Sequence, residues 1–406
     1  MLIKTLNEYK DLIERFPFQV TFSMSHYFFG GFGQTFFIAF LIPFIQDSYK
    51  ISNSQFGLYY GACTLLSAIL LPFAGRLYDQ VNLKIYASIV LFFLCFGLII
   101  VAANISLWSI FCGIFLVRFC GQGLFTHISS TSTARFFDES RGKAQSLASL
   151  GASLSEAIFP LFFIFLTKIF SWQKTLVIFA AVPSFFYIFF YLFGLKKTHH
   201  FFQVVEDDKR SGNKSSQFFL PLKNKSFTLL VLQFVLPAFI LTGLFFHKIA
   251  LGELKSWSQD FLAFCFVLFA VAKTISSILT GPLVDRYTAR SLSQFCLIPM
   301  ILSLLIFYLS NHPLAAVLYL ISSGITIGFG SCVQSSVWAE IFPKHQLGSI
   351  KAVMMQCIIL STALAPPIFG WALDMNYDFH FFILFLIALT MIVFRFQEKN
   401  LDKIKA

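Results

Sequence analysis

Charged residues are scarce in this sequence. Asp, Glu, Lys and Arg make up only 12% of the 406 residues, about half the share that is typical of a soluble domain. Hydrophobic residues make up 57%, and the mean hydropathy is +0.77. A soluble globule of this length could not bury so much apolar surface. The composition therefore excludes that class and predicts a chain whose solvent is the lipid bilayer.

Motifs for catalysis and cofactor binding are also missing. The sequence contains no Walker A motif, no HExxH, no Gly-x-Ser-x-Gly and no His-rich cluster, so we expect no enzyme activity, no cofactor, no metal site and no ATP-driven transport by this chain. The eight Cys residues lie in apolar segments without a CxxC pair, which is typical of small buried hydrophobes. The net charge of +11 accompanies no nucleic-acid motif, so we expect no nucleic-acid partner.

Long apolar runs recur along the chain, each near the length of about 20 residues that crosses a bilayer. Their number predicts an all-α membrane protein of about twelve transmembrane helices. The estimated spans are 22–46, 55–77, 85–104, 106–130, 143–168, 173–195, 226–249, 259–283, 290–310, 313–338, 347–373 and 379–396.

Basic residues are divided unevenly between the two sides of these spans. With both termini on the inner side, 23 of the 30 Lys and Arg residues fall in inner segments, and five, including Lys248 and Lys255, fall in outer ones. The positive-inside rule therefore predicts an even number of spans, a location in the cell (inner) membrane and both termini in the cytoplasm. We identify no cleavable signal peptide, because the first apolar run is long enough to remain as a span.

The segment 196–225 is polar, charged and Ser-rich, unlike the rest of the chain. We interpret it as a mobile cytoplasmic linker. It would join an N-terminal six-helix half, residues 1–195, to a C-terminal six-helix half, residues 226–406.

A short motif occurs once in each of these halves. Gly75-Arg76-Leu77-Tyr78-Asp79 ends the second predicted helix, and Gly281-Pro282-Leu283-Val284-Asp285, followed by Arg286, ends the eighth. Both copies fit G-x-L-x-D and occupy equivalent places, which indicates a duplicated six-helix unit. Glycine permits close helix approach, and the carboxylate can cap a helix or pair with an arginine. The motif predicts a conformational latch; the alternative is a turn cap that only sets loop geometry. The predicted latch residues are Gly75, Asp79, Gly281, Asp285 and Arg286.

This repeated motif resembles the one that the major facilitator superfamily carries between helices 2 and 3 of each half. The helix-4 stretch Arg118-Phe119-Cys120-Gly121-Gln122-Gly123 is similar to the Arg-x-x-x-Gly pattern of that family. The strings Phe245-Phe246-His247 and Gly348-Ser349-Ile350 resemble its bacterial branch near the monocarboxylate and oxalate/formate transporters. The resemblance implies the major facilitator fold over the whole chain. In the monocarboxylate branch a cationic residue of helix 8 faces the cavity, and the resemblance implies that Lys273 occupies the equivalent position.

Ionisable side chains inside a span cost roughly 2.5–3.5 kcal/mol each, so they are usually functional or paired. Arg118 lies about 18 Å along the fourth helix and Glu156 about 20 Å along the fifth, at 1.5 Å per residue. Both are therefore predicted near the midplane. Arg118 is a candidate for binding an anionic substrate and Glu156 for carrying a proton; a static buried ion pair is the alternative.

Four further residues complete the candidate site. Lys273 in the eighth helix would bind an anion as a point charge, unless it only pairs with a carbonyl or reaches the interface. Gln34, in a Gly-rich run, and Gln122 are candidates for substrate contacts, although either could join helices by hydrogen bonding. His247 is a candidate proton carrier or an interfacial hydrogen-bonding group. Glu340 and Asp374 fall at span ends, where we expect solvation or capping.

Together these features predict a secondary active transporter that moves a small solute by alternating access, with an organic anion such as a monocarboxylate as the expected cargo and protons as the coupling ion. An exporter of drugs, siderophores or metabolites with the same fold is the alternative, and a non-transporting membrane sensor is a remote one. The expected partners are a small anionic molecule, protons and the lipid bilayer. We expect a monomer, because each chain supplies both halves.

Overall fold

The computed structural model describes residues 2–137, 141–211, 225–342, 347–375 and 379–400. Every regular element in these ranges is helical, and no strand occurs there, in agreement with the predicted all-α class. Ten of the described helices are long and apolar enough to cross a membrane. Two bent helix pairs pass the same test, so the count reaches the predicted twelve when each pair is one span.

We number the spans α1 to α12 and divide the two bent ones into parts a and b. The helices are α1a (Pro17–Gly33), α1b (Thr35–Tyr49), α2 (Asn53–Gln80), α3 (Leu83–Ala103), α4 (Leu107–Phe136), α5 (Arg141–Thr167), α6 (Trp172–Ser211), α7a (Lys225–Phe246), α7b (Lys248–Leu254), α8 (Gln259–Tyr287), α9 (Ala289–Leu309), α10 (Pro313–Ile341), α11 (Leu347–Asp374) and α12 (Phe379–Asn400). An amphipathic helix, Leu2–Arg15, precedes them.

Helix α6 differs most from its predicted span. It continues to Ser211 as one helix of 40 residues, although the apolar run ends near residue 195. The residues after 195 are charged and polar, but no Pro or Gly occurs before Gly212, so no backbone signal stops the helix. The remainder of the predicted linker, residues 212–224, lies outside the described residues.

Polar side chains set where several spans begin. Ser106 and Ser109 form a reciprocal capping box at the start of α4, with N–H to hydroxyl distances of 3.1 and 3.2 Å. The Ser258 hydroxyl accepts from the Phe261 N–H at the start of α8, and the Asn82 side chain starts α3 in the same way. These caps satisfy N–H groups that have no partner inside the helix.

Packing divides the chain into two compact units. Unit 1 comprises residues 1–41 and 63–214, and unit 2 comprises residues 42–62 and 215–406. The end of α1b and the beginning of α2 therefore pack with α7 to α12. The functional division into two halves at residues 195 and 226 stays a prediction.

Phenylalanine rings fill the core of unit 1. Phe32 of α1a stacks on Phe159 of α5, with ring centroids 4.2 Å apart and planes 5° from parallel, and Phe37 and Phe179 pack around this pair. Offset and edge-to-face contacts of this kind stabilise aromatic pairs beyond the area they bury. The first helix is thus held against α5 and α6, which fixes the position of the Gly-rich run that contains Phe32.

Glycines bring α8 and α10 together in unit 2. A Cβ atom on Gly328 would lie 2.2 Å from the Lys273 carbonyl oxygen, and one on Gly324 would lie 2.5 Å from the Phe269 oxygen. Because only Gly lets two helix backbones approach this closely, α8 is held against α10 along the turn that carries Lys273.

A second core of the protein, in unit 2, lies around Trp338, whose indole contacts Phe227 and Phe342.

Candidate functional site

Helix α1 breaks at Gln34, one of the predicted binding residues. The backbone of Gln34 is extended, with φ −81° and ψ 152°, and the two parts of the helix are bent by 42°. The N–H groups of Phe37 and Ile38 both donate to the Gln34 carbonyl. The Gly33 carbonyl at the break is therefore open to a side-chain donor, and Arg118 Nη1 donates to it at 3.3 Å.

Helix α4 becomes a π-helix from Arg118 to Phe125, beside this break. Such segments are rare and frequently occur at functional sites. The π-helical turn lies directly against α1a: a Cβ atom on Gly33 would be 2.5 Å from the Gln122 nitrogen and from the Val117 oxygen. The structure thus brings Gln34, Arg118 and Gln122 to one junction, where Arg118 is 2% exposed and both glutamines are half-buried.

Glu156 lies on α5, beside the same part of α1a. Its neighbour Ser155 is buried against Gly31, where a Cβ atom would be 2.4 Å from the serine oxygen. Glu156 itself is half-buried. The predicted proton-carrying role of Glu156, and its pairing with Arg118, stay predictions.

His26 of α1a is a fully buried polar group that the sequence analysis missed. Its Nδ1 lies 2.7 Å from the Phe22 carbonyl and 2.9 Å from the Tyr187 hydroxyl. A carbonyl can only accept, so Nδ1 carries the hydrogen. Nε2 has no hydrogen-bond partner among the described residues. A histidine in an apolar helix gives no distinctive pattern, and only Tyr187, about 160 residues away, reveals the group.

His247 lies at the break of α7 rather than near the end of a continuous helix. The two parts of α7 are bent by 69° at this residue. His247 is 2% exposed, and its Nε2 lies 2.8 Å from the Pro366 carbonyl of α11. Nε2 therefore carries the hydrogen, and Nδ1 has no hydrogen-bond partner in the part of the chain that the structure describes.

Three lysines of unit 2 occupy different settings. Lys273 is half-buried on α8. Lys248 and Lys255, which hydropathy places in outer segments, are only 4% and 5% exposed. Their Nζ atoms lie over the rings of Phe266 and Phe307, at 4.2 and 5.0 Å. Burial lowers the pKa of the Lys255 ammonium. These two cations flank the short helix α7b, so hydropathy alone could not distinguish them from loop residues.

The two copies of the G-x-L-x-D motif have different surroundings. Asp79 forms an ion pair with Arg135 at the end of α4, with a nitrogen–oxygen distance of 2.9 Å, and a Cβ atom on Gly75 would lie 3.6 Å from Nε2 of His127. In the second copy nothing lies within 4 Å of a Cβ atom on Gly281, and the Arg286 guanidinium lies over Tyr287. The side chain of Asp285 is outside the described residues. The latch role of both copies stays a prediction.

Two carboxylates at span ends cap neighbouring helices, as expected. Glu340 of α10 accepts from the N–H groups of Ala289 and Arg290 at 2.7 and 2.8 Å, at the start of α9. Asp374 of α11 accepts from the N–H groups of Asn53 and Ser54 at 3.1 and 2.7 Å, at the start of α2. A carboxylate is favourable at a helix N-terminus because the unpaired N–H groups there carry partial positive charge.

The fold and this arrangement agree with one known family. The sequence profile of the Major Facilitator Superfamily matches residues 24–252 and 238–404. The chain belongs to the Major Facilitator Superfamily. As a member of this superfamily it is an integral membrane protein with a transporter fold, and a transporter rather than an enzyme.

Solved structures of major facilitator transporters share the fold at low sequence identity. A bacterial homolog of the human lysosomal transporter Spinster is 14% identical, with a TM-score of 0.69 over 95% of this chain and 97% of that chain. The nucleoside transporter NupG is 15% identical, with a TM-score of 0.70 over 95% and 98%. A POT family transporter in complex with 5-aminolevulinic acid is 13% identical, with a TM-score of 0.73 over 95% and 96%. No protein of curated function matches the sequence. The monocarboxylate branch stays a prediction.

Proposed function

We propose that this chain is a secondary active transporter that moves a small organic anion, such as a monocarboxylate, by alternating access with proton coupling. The observation that supports this most is Arg118. It places a permanent positive charge, 2% exposed, at the junction of the α1 break and the π-helical turn of α4. A buried guanidinium is costly unless it serves binding or is satisfied by neighbours, and it has five N–H donors in a geometry that suits carboxylates.

The other groups have supporting roles in this proposal. Gln34 and Gln122, at the same junction, would donate or accept hydrogen bonds to the anion. Lys273, half-buried on α8, would supply a second cation. Glu156 and His247 would carry the coupled proton. We further propose a monomer in the cell (inner) membrane with both termini in the cytoplasm, on the strength of the uneven distribution of Lys and Arg.

Alternating access requires contacts that one state makes and another releases. The ion pair between Asp79 and Arg135 has the character of such a contact, because the Asp79 side chain is 51% exposed and its partner is 19% exposed. An exposed pair of this kind contributes little stability, so a modest change in its surroundings suffices to open it.

The test is uptake of radiolabelled small carboxylates into proteoliposomes under an imposed pH gradient. We expect accumulation by the wild type, and at least a tenfold loss with Arg118→Gln, because glutamine keeps a donor but removes the charge. Arg15→Gln is the matched control, since Arg15 is exposed and pairs with Asp11 outside the spans, and it should behave as the wild type.

The results also separate the alternatives. Accumulation that survives in Arg118→Gln would remove Arg118 from the mechanism. No flux of any carboxylate by the wild type would contradict the anion proposal and favour the exporter, and amphipathic solutes would then be tested in the same vesicles.

A further inference from the structure

A small cavity of mixed polar and apolar lining lies at the break of α7, and its walls belong entirely to unit 2. Its volume is about 60 Å³, above the minimum of roughly 10–15 Å³ that a cavity needs to hold a water molecule. Four polar residues line it: Gln46 of α1b, Asn53 of α2, His247, and Glu253 of α7b. The Gln46 side chain donates to the Asn53 side-chain oxygen at 3.1 Å, so part of the wall is already ordered.

His247 lines this cavity and has an unused basic nitrogen. Nε2 carries a hydrogen that is donated to the Pro366 carbonyl, and Nδ1, which is buried, has no hydrogen-bond partner among the described residues. Buried polar atoms are nearly always satisfied, often by ordered water. His247 lines a space large enough for water, which is the usual partner of a buried polar atom that protein groups leave unsatisfied.

Glu253 connects the same cavity to the protein surface. It lies one and a half helical turns after His247, lines the cavity and is exposed. Gln46 and Asn53, on the opposite wall, are half-buried. A short polar route therefore leads from an exposed carboxylate, across a space of water size, to a buried imidazole.

Four charged groups lie near His247 in the fold or in the sequence: Glu253, Asp374, Lys248 and Asp47. Asp374 of α11 is the carboxylate that caps the start of α2, and the Asn53 side chain also donates to it, at 3.1 Å. Lys248 follows His247 in sequence, but its Nζ lies over the Phe266 ring, 4.2 Å from the centroid. Asp47 of α1b is exposed and pairs with Lys50. Of these groups, only Glu253 lines the cavity with His247.

We propose that His247 accepts a proton at Nδ1 from water in this cavity, and that Glu253 is the surface carboxylate that delivers it. The proposal deepens the proton coupling of the proposed function and rests on it. The protonated Glu253 side chain gives its proton to a cavity water, which passes a proton to Nδ1, and the carboxylate is reprotonated from the bulk solvent. The imidazolium keeps its Nε2–H donation to Pro366, so no existing hydrogen bond is lost.

The position of His247 would let this proton act on more than one helix. The Pro366 carbonyl that accepts from His247 also faces Gly57 of α2, where a Cβ atom would lie 2.6 Å from it. A positive charge on His247 therefore arises where α2, α7 and α11 meet. Two of these helices, α2 and α11, are also joined by Asp374 of α11, whose carboxylate caps the start of α2.

The direct test is NMR of the full-length protein with ¹⁵N-labelled histidine in nanodiscs, using the proton alone as the ligand. Subtracting the spectrum of His247→Gln assigns the His247 signals, and glutamine can still donate to Pro366. We expect the Nε2–H tautomer at neutral pH and protonation of Nδ1 on acidification. In Glu253→Gln, which changes only a surface side chain, we expect the exchange rate at His247 to fall about tenfold. Glu14→Gln, another exposed glutamate, is the control and should leave the rate unchanged.

A His247 signal in the Nδ1–H tautomer, one that never titrates, or an exchange rate that is the same in Glu253→Gln and the wild type would each overturn the proposal. Vesicle uptake then separates it from the proposed function. If the wild type accumulates carboxylate under a pH gradient and His247→Gln still does so, His247 is not the proton site, while proton-coupled transport stands. If the wild type does not accumulate carboxylate, the proposed function fails, and the NMR result stands by itself.

Discussion

His26 lies on α1a in unit 1 and His247 at the break of α7 in unit 2, and both are almost completely buried. In each, one ring nitrogen is bonded to a backbone carbonyl and the other has no partner among the described residues. The surroundings differ. The rings of Phe22, Phe125 and Tyr187 enclose His26, whereas His247 borders a cavity that Gln46, Asn53 and Glu253 also line. The same residue type at the same burial therefore supports two interpretations: packing in unit 1 and proton exchange in unit 2.

The breaks in these two helices differ in a similar way. At the α1 break, glycine backbone meets the backbone of α4, and the Arg118 guanidinium binds the exposed carbonyl. Near the α7 break, Gly243 meets the ring of Phe369, a side chain that can rotate or shift. The first break is held by rigid groups and the second by adjustable ones, so the second is the better place for a conformational change.

The largest effect is expected from alanine at the glycine beside each break. Gly33→Ala places a methyl group 2.5 Å from two backbone atoms of α4, which cannot move separately, and overpacking of this kind costs about 1–3 kcal/mol. Gly243→Ala should cost less, because the Phe369 ring can yield. The measurement is the thermal unfolding midpoint of the purified proteins in one detergent.

Gly330→Ala is the control for this pair, since nothing lies within 4 Å of its Cβ position. Alanine there should be neutral or slightly stabilising, because it favours the helix by up to about 1 kcal/mol over glycine. If Gly243→Ala lowers the unfolding midpoint more than Gly33→Ala does, the assignment of the rigid and the adjustable break is reversed.

A smaller effect is expected when the two histidines are replaced in a way that keeps the carbonyl hydrogen bond. His26→Asn retains a donor at the position of Nδ1, and His247→Gln retains one at the position of Nε2. Each should lower the free energy of unfolding by about 1–2 kcal/mol through lost ring packing. Only His247→Gln should alter the pH profile of uptake in proteoliposomes, because only His247 has a route to water. His380→Asn, at an exposed histidine, is the control. An altered pH profile in His26→Asn would remove the distinction between the histidine of unit 1 and the histidine of unit 2.

The smallest effect is expected at the ion pair between the first copy of the repeated motif, at the end of α2, and the end of α4. The Asp79–Arg135 pair is partly exposed, so its loss in Asp79→Arg should cost at most about 1 kcal/mol. The double variant Asp79→Arg/Arg135→Asp should recover most of that loss, because the pair is restored with its charges exchanged. Unfolding midpoints and initial uptake rates of the single and double variants test this. Recovery of stability without recovery of uptake would show that transport depends on which of the two positions carries the negative charge.

Hydropathy and the repeated motif were sufficient to predict the helical class, the positions of the spans and the family. They succeed because crossing a bilayer constrains the sequence over about 20 consecutive residues. The breaks at Gln34 and His247 were not predicted, since both residues lie in unbroken apolar runs and the bends depend on partners in α4 and α11. The Arg118–Gly33 contact and the His26–Tyr187 group join residues more than 80 positions apart, which no local pattern can indicate.

The surroundings of Lys248 and Lys255 also depend on residues that are distant in the sequence. Both were predicted in outer segments from the order of the apolar runs, with both termini placed on the inner side. Their ammonium groups lie instead over aromatic rings, an arrangement that depends on Phe266 in α8 and Phe307 in α9. The sequence shows which residues are charged, but the group that each charge contacts depends on the tertiary fold.

The phenylalanine-rich core has a spectroscopic consequence. Phenylalanine emits little fluorescence, so the 56 Phe residues leave the optical signal to five Trp and thirteen Tyr residues. Trp338 is 1% exposed and packs against Phe227, Phe234 and Phe342, at the same end of α10 as Glu340. Its indole can therefore report on this core: in a variant that keeps Trp338 as the sole tryptophan, a red shift of the emission would register any opening of the α10 end of unit 2 without a label.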